Sequence, residues 1–438
     1  TIDTPRLAGS ISLKGGRIDE LQLKDYRDTL DSDSGNVEVL APLGTEHPYY
    51  ALWGWAPGAG LTLDQVPGAN TIWSVTSGST LSTDSPVTLT WDNGAGLTFR
   101  REMTVDENYM FSVRQSVQNS GTATVTLAPY GVIARHGEPL SDKSSPIVHK
   151  GSISMSDGEL NETKYKKITK LDYNEREGTL AEVTQVTEAG WVGFTDHYWM
   201  STLIPAAGTP FKSVVKYDEA RDVYQTEAVL KTLTMAPGET IEADMRLFAG
   251  AKEWETIRSY EKDDNVTRFI DSIDWGWFFF FTKPIFWLLH TLHGLIGNMG
   301  WSMMALTMIL HVVGVVYWLE RLGTRVEYLA SIGKHPHLFR GVLTTSLALL
   351  ILHMREALLW AFLYMVLPAH AGLKNFHEAI YFSMITFTTL GYGDVTLNEP
   401  WQVLAGAEGM VGIVAFGLTT ALLFAVIQKC WRISHDSK

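Results

Sequence analysis

The amino-acid sequence predicts a mixed fold: a large all-β sandwich followed by an all-α membrane domain. Three observations predict it. Up to about residue 262, short runs of alternating polarity are punctuated by turn signals. Beyond residue 300, three long apolar stretches follow one another. The charge divides at the same place: residues 1–300 hold 40 acidic and 26 basic side chains, whereas 301–438 hold 8 and 9, within a net charge of −13. An acidic, soluble front and a nearly neutral, membrane-embedded back follow from this split. No basic stripe is present to neutralise phosphates, which argues against nucleic acid as a partner.

In the front part, Gly9–Leu13, Ile18–Leu23, Val87–Trp91, Leu97–Val105 and Ala123–Leu127 read as strands. The runs Lys14-Gly15-Gly16, Asp92-Asn93-Gly94 and Asn119-Ser120-Gly121 read as turns between them. Ser141–Ser145 reads as a loop, and residues 251–272 as a charged, partly helical exit from the sandwich. The expected divisions are a sandwich over 1–262, a linker and interfacial amphipathic helix over 263–300, and a transmembrane pore domain over 301–438. The single cysteine, Cys430, excludes an intramolecular disulfide. The chain opens on Thr1 with no signal-like segment, so an N-terminal anchor or signal is expected to precede it.

Residues 275–297 are apolar and rich in aromatics, with Lys283, His290 and His293 available for a wet face. Trp275, Trp277 and the Phe278–Phe281 run belong at a headgroup boundary, and Pro284 would break or kink a spanning helix. The segment therefore reads as a helix lying on the membrane surface, with a first spanning helix as the alternative. His290 and His293 sit one turn apart. No carboxylate or thiolate completes a metal site with them, so they read as surface histidines.

Trp301–Leu319, Gly341–Leu367 and Trp401–Ile427 are long and apolar enough to cross a bilayer. Arg321, Arg325, Lys334 and Arg340 fall in a short loop between the first two spans, and Lys429, Arg432 and Lys438 close the chain. Basic residues favour the cytoplasmic side, which places both of these regions inside. The front domain and the segment between the second and third spans then face outward.

That outward segment contains Thr389-Leu390-Gly391-Tyr392-Gly393-Asp394. An ion filter must replace water with stacked backbone carbonyls. Successive carbonyls point the same way only where the backbone alternates through left-handed conformations, which glycine reaches without steric cost. Gly391 and Gly393 provide that freedom, Thr389 adds a hydroxyl, and Tyr392 is expected to wedge the loop outward against its support. Residues 376–388 form a half-length helix whose C-terminal end, with its partial negative charge, aims at the ion path. Gly409, Gly412 and Gly417 in the last span let a helix bend or approach another closely.

These residues resemble the pore module of two-helix bacterial potassium channels, from YFSMITFTTLGYGD (381–394) into GIVAFGLTTALL (412–423). The resemblance implies K+ binding by carbonyls of Thr389, Leu390, Gly391, Tyr392 and Gly393, with Thr388 and Asp394 supporting the filter. It also implies a hinge at Gly412 and a cavity face bearing Phe416, Thr420 and Ala421. Ile385 stands where some members carry a glutamate, so a hydrogen bond from that position to Asp394 is absent. K+ ions in the filter and a homotetramer are implied, with no organic cofactor and no catalysed reaction. No arginine-repeat segment is present, which argues against a voltage sensor.

His353, Arg355 and Glu356 lie in the middle of the second span, where charge is costly and faces protein or water. They read either as a proton- or state-sensitive pair that biases gating or as a structural ion pair, with His311 as a candidate partner.

The front, including GWVGFTDHYWMSTLIP (190–205) and IDWGWFFFFTKPIFWLLHTLHGLIGNMGWS (273–302), resembles the periplasmic domain and interfacial helix of the YidC membrane insertase. The resemblance implies a periplasmic β-supersandwich related to sugar-mutarotase folds. His47, His136, His149 and His197 are scattered and assemble no acid/base pair. The resemblance stops in the first span, where His311 stands at the position of the insertase's groove arginine. The insertase's cytoplasmic hairpin and its other groove helices have no counterpart before residue 438. The chain therefore reads as a fusion, natural or engineered, joined near residues 300–304. It is expected in the bacterial inner membrane as a multi-pass protein conducting K+. The alternatives are an insertase- or chaperone-related protein, or a non-conducting structural subunit of a larger membrane complex. A membrane complex or a nascent protein is then the expected partner of the front domain. That domain either caps the pore or serves as a folding and targeting handle.

Overall fold

A computed structural model describes residues 1–29, 33–139, 149–274, 279–332, 338–367, 371–399 and 401–435. The expected loop at Ser141–Ser145, the boundary residues Trp275, Trp277 and Phe278, and Lys334 and Lys438 lie outside them, as do the side chains of Phe279–Phe281, Lys429, Cys430 and Arg432. The chain forms two compact units, Thr1–Asp274 and Trp275–Lys438.

Among the described residues, the first unit is an all-β sandwich of two antiparallel sheets. One has eleven strands, ordered Ile2–Asp3, Leu7–Ser12, Arg17–Arg27, Tyr49–Pro57, Val125–His136, Val223–Leu230, Phe211–Asp218, Thr179–Val186 and Tyr173–Asn174, with Asn36–Leu40 and Leu233–Met235 paired beside this path. The other has nine, ordered Glu159–Lys164, Gly151–Ser156, Gly190–Thr195, Trp199–Pro205, Thr240–Ala251, Met110–Asn119, Leu97–Val105, Val87–Asp92 and Ser74–Ser77. Leu97–Val105 shows how pattern becomes layer: Leu97, Phe99, Met103 and Val105 point inward with Trp53, Trp191 and Phe194, and their alternate neighbours are accessible. Arg101 shares the inward face. Its guanidinium donates to the carbonyls of Gly15 (3.2 Å) and Gly16 (2.5 Å) and to that of Trp53. It thereby anchors a turn whose glycines sit at φ +81° and +59°.

After α1 (Tyr165–Ile168), the next helix, α2 (Trp254–Lys262), buries Ile257 and Tyr260. A 3₁₀ turn at Phe269–Ser272 buries Phe269 against Trp191 and Phe248. Residues 263–274 thus pack with the sandwich, so the expected 263–300 linker is divided between the two units.

The second unit is helical: α3 (Phe279–Ile296), α4 (Met299–Ser331), α5 (Leu338–Val366), α6 (Phe376–Phe387) and α7 (Gln402–His435). Among the described residues, three helices are long and apolar enough to cross a membrane: Met299–Leu329, Phe339–Met365 and Gln402–Gln428. Helix α3 accommodates Pro284 near its start without a break and packs Ile285, Leu288, Leu289 and Leu292 on the core of this unit. Helix α4 runs well past the apolar stretch. Arg321 and Arg325 therefore lie on its last turns and Arg340 on the first of α5, correcting the expected loop. Residues 320–331 lack any breaker strong enough to stop a helix where the apolar pattern ends. Small residues set the spacing of the bundle: Ala357 and Ala361 on α5, Ala379 on α6, and Ala407 and Ala415 on α7 are buried among Met303, Leu306, Trp360, Tyr364 and Phe382.

Candidate functional site

Helix α6 begins at Asn375, whose side chain accepts from Glu378 N–H (3.0 Å), while Glu378 accepts from Lys374 N–H (2.6 Å). It buries Ala379, Phe382, Ser383, Ile385 and Phe387 and ends at Thr388, whose hydroxyl donates back to the Met384 carbonyl (2.6 Å). The backbone then alternates. Thr389 (φ +59°), Gly391 (+49°) and Gly393 (+77°) are left-handed, and Leu390 and Tyr392 between them are not. Handedness that switches at every residue is what a ladder of carbonyls facing one side requires. Thr389 N–H donates to the Thr386 carbonyl (2.9 Å) and Gly391 N–H to that of Ile385 (3.1 Å), folding the loop back over the end of α6.

Tyr381 donates its hydroxyl to Asp394 Oδ2 (2.7 Å), tying the far end of the loop to the pore helix. The bond that Ile385 lacks is therefore made one turn earlier, by Tyr381. Leu390 is 59 % and Tyr392 70 % exposed, so the wedge expected of Tyr392 is not made within one chain.

Helix α7 meets the end of α6 at Gly412, where a Cβ would lie 1.9 Å from the Phe387 carbonyl oxygen. The helix continues unbroken through this residue, whose lack of a side chain is used for close approach. Phe416, Thr420 and Ala421 lie on exposed parts of α7. A second feature went unnoticed in the sequence, although the signal was an acid inside an apolar run. Glu408 is buried, accepts from Tyr364 of α5 (2.6 Å) and pairs with the Ser383 hydroxyl of α6, which also reaches the Ala357 carbonyl (2.6 Å). Three helices are joined through one carboxyl group.

His311 of α4 and His353 and Glu356 of α5 come together in the interior. His311 Nδ1 lies 2.9 Å from Glu356 Oε1, His353 Nδ1 lies 3.2 Å from Glu356 Oε2, and His353 Nε2 lies 2.9 Å from Thr419 Oγ1 of α7. The His353 ring stacks on Phe416 (4.5 Å) and lies against Phe387 (5.9 Å). Arg355 is exposed and does not belong to this cluster, a correction to the expected constellation. Residues 353 and 356 are one turn apart and share a helix face, whereas 355 points elsewhere.

In the sandwich, His136 is beside Tyr50, His149 Nε2 meets the Ser152 carbonyl (2.9 Å), and His197 stacks on Tyr198. Arg135 pairs with Asp196 (2.7 Å) and Tyr165 (3.1 Å), and Lys252 reaches Thr195 (3.0 Å). Burial pulls the Lys252 amine down to about 8.

Comparison with known proteins divides the chain in the same order. A family model described as the YidC periplasmic domain matches residues 1–288, and one described as an ion channel matches residues 350–429. The membrane protein insertase YidC of Ruegeria sp. (strain TM1040) is 60 % identical over 305 residues, covering 70 % of this chain and 50 % of that protein. The insertase of Ruegeria pomeroyi is 58 % identical over 318 residues, covering 71 % and 52 %. The chain thus spans about half the length of the curated relatives it matches. Among solved structures, a galactose mutarotase related enzyme from Lactobacillus acidophilus aligns with 57 % of this chain and 96 % of its own, at 12 % identity and a TM-score of 0.38.

Proposed function

Because the chain belongs to the YidC periplasmic-domain family through residues 1–288 and carries an ion-channel domain at residues 350–429, with three apolar helices for the membrane, we propose that it is a subunit of a potassium-selective channel. The observation that carries this reading is the alternating left-handed backbone at Thr389, Gly391 and Gly393. A single chain contributes one wall of a carbonyl ladder, and four walls around an axis replace the hydration shell of K+. Leu390, Tyr392 and Ile413 are exposed in one chain, an apolar surface that neighbouring copies would cover. Flux is passive, so K+ is cargo and no bond is made or broken. The sandwich and the filter face outward in this reading, and the basic residues at 321–340 and after 428 lie inside.

Reconstitution of the purified chain in liposomes tests the proposal. The expected result is K+ flux without Na+ flux, blocked by Ba2+, from a species with the mass of four chains in detergent. A monomeric species without flux, or equal flux of both ions, overturns it. Recovery at fixed stoichiometry with a membrane-insertion complex and no flux would favour an insertase-related role.

A further inference from the structure

We propose that His311, His353 and Glu356 form a site for one divalent transition-metal ion of the zinc class, clamped between α4 and α5 and braced by α7. Two imidazoles and one carboxylate are a sufficient protein ligand set for such an ion, with the fourth position left to water. The three are buried, at 0 %, 8 % and 2 % exposure respectively, and offer one ligand atom each within 4.8 Å of one another. A tetrahedral site with bonds of about 2.0–2.2 Å has ligand-to-ligand edges of about 3.3–3.5 Å. Here His311 Nδ1 lies 2.9 Å from Glu356 Oε1 and His353 Nδ1 3.2 Å from Oε2, so each imidazole already stands near that spacing from one of the two carboxylate oxygens.

The placement follows how helical bundles build metal sites. His353 and Glu356 stand at i and i+3 on one inward face of α5, and a facing helix supplies the third donor. A ligating imidazole is oriented by a partner on its other nitrogen, and Thr419 holds His353 Nε2 in that way. Protons alone leave the cluster poorly satisfied. If both imidazoles donate from Nδ1 as neutral rings, a carboxylate charge stays buried among apolar helices. A divalent ion removes that cost. Nitrogen donors favour zinc-class ions over Mg2+ or Ca2+, which take oxygen.

Of the three residues, His353 has the greatest exposure and lies against Phe416, so an ion enters past that ring. Because the ring also lies against Phe387 at the end of the pore helix, occupancy reaches the filter's support. This last consequence rests on the channel reading; the binding site does not.

The test uses the full chain in detergent, stripped of metal and titrated with Co2+ and then Zn2+. The expected result is one Co2+ per chain with the intense visible bands of tetrahedral coordination, lost as Zn2+ displaces it. His311→Ala and Glu356→Gln should each abolish the bands, and the control His377→Ala should not. Thr419→Val removes only the brace and should weaken binding by about 10-fold or more, which keeps the test decisive should a ligand variant fail to fold. Absence of the bands in the unmodified chain, or their persistence in a folded Glu356→Gln protein, overturns the proposal. Binding is read without flux. A chain that binds Co2+ but passes no K+ therefore sinks the channel reading alone, and a chain that conducts without binding sinks this one alone.

Discussion

Tyr381 and Gly412 show how single residues shape the loop after α6 by different means. Tyr381 holds Asp394 by one hydrogen bond across the mouth of the loop. Tyr381→Phe keeps the ring and removes the donor. On the proposed channel reading, the expected outcome is a tetramer that still assembles but discriminates several-fold less between K+ and Na+, read as a permeability ratio in planar bilayers. Gly412 acts by what it lacks. A methyl group there would overlap the Phe387 carbonyl, so Gly412→Ala pushes α7 away from the end of α6. Overpacking of this kind costs about 1–3 kcal/mol, to be seen as a lower unfolding temperature in detergent together with reduced K+ flux. Thr389 is a β-branched residue in the left-handed region, a conformation that persists only where the surroundings impose it. The bonds from Thr389 N–H and Gly391 N–H to the end of α6 are the imposing contacts.

At the scale of elements, two glutamate carboxyl groups fasten helices to their neighbours. Glu408 joins α5, α6 and α7 through Tyr364 and Ser383. Glu408→Ala strands the Tyr364 hydroxyl in the bundle, at about 1–3 kcal/mol, and leaves the Ser383 hydroxyl only the Ala357 carbonyl. Glu408→Gln keeps partners for them, so thermal unfolding should separate the two variants clearly. In the sandwich, Glu253 at the start of α2 accepts from Arg6, Tyr26, Tyr109 and Thr256, linking the helix to three strand regions. Burial alone would raise this carboxyl, but the bonds from Arg6, Tyr26 and Thr256 outweigh it and hold the group at about 2, below its ordinary 4.5. A folded value below the unfolded one means the native state binds fewer protons in that interval. The stabilisation is complete above pH 4.5 and lost as pH falls toward 2. Glu253→Gln should destabilise residues 1–274 at pH 7 by on the order of 1–2 kcal/mol after solvent screening. Urea titrations of the two proteins should converge as the pH approaches 2.

For the whole molecule, the two units have separate cores, one among the sandwich strands and one among α3–α7. Each is therefore expected to survive without the other. Residues 1–274 alone should unfold cooperatively in water and, on the proposed channel reading, residues 275–438 alone should pass K+ in a Ba2+-sensitive way in liposomes. Loss of flux on removing the sandwich would make the front domain part of the pore's assembly, as opposed to a folding and targeting handle. An unfolded 1–274 fragment would show that the sandwich depends on the membrane unit.

Periodicity and local chemistry were enough for much of this. Alternation along Leu97–Val105, the apolar lengths of the three spans, the short helix α6 and the glycine pair after it are local properties of consecutive residues. Backbone sterics and the hydrophobic effect act on them directly, so they are legible from the residues alone. The tertiary structure decided what depends on residues far apart in the chain. It brought His311 to Glu356 across 45 positions while leaving Arg355 aside, replaced the missing partner of Asp394 with Tyr381, and fitted Gly412 against a carbonyl of another helix. Helix faces fix which side chains share a direction, but only the packing of one helix on another fixes which faces meet.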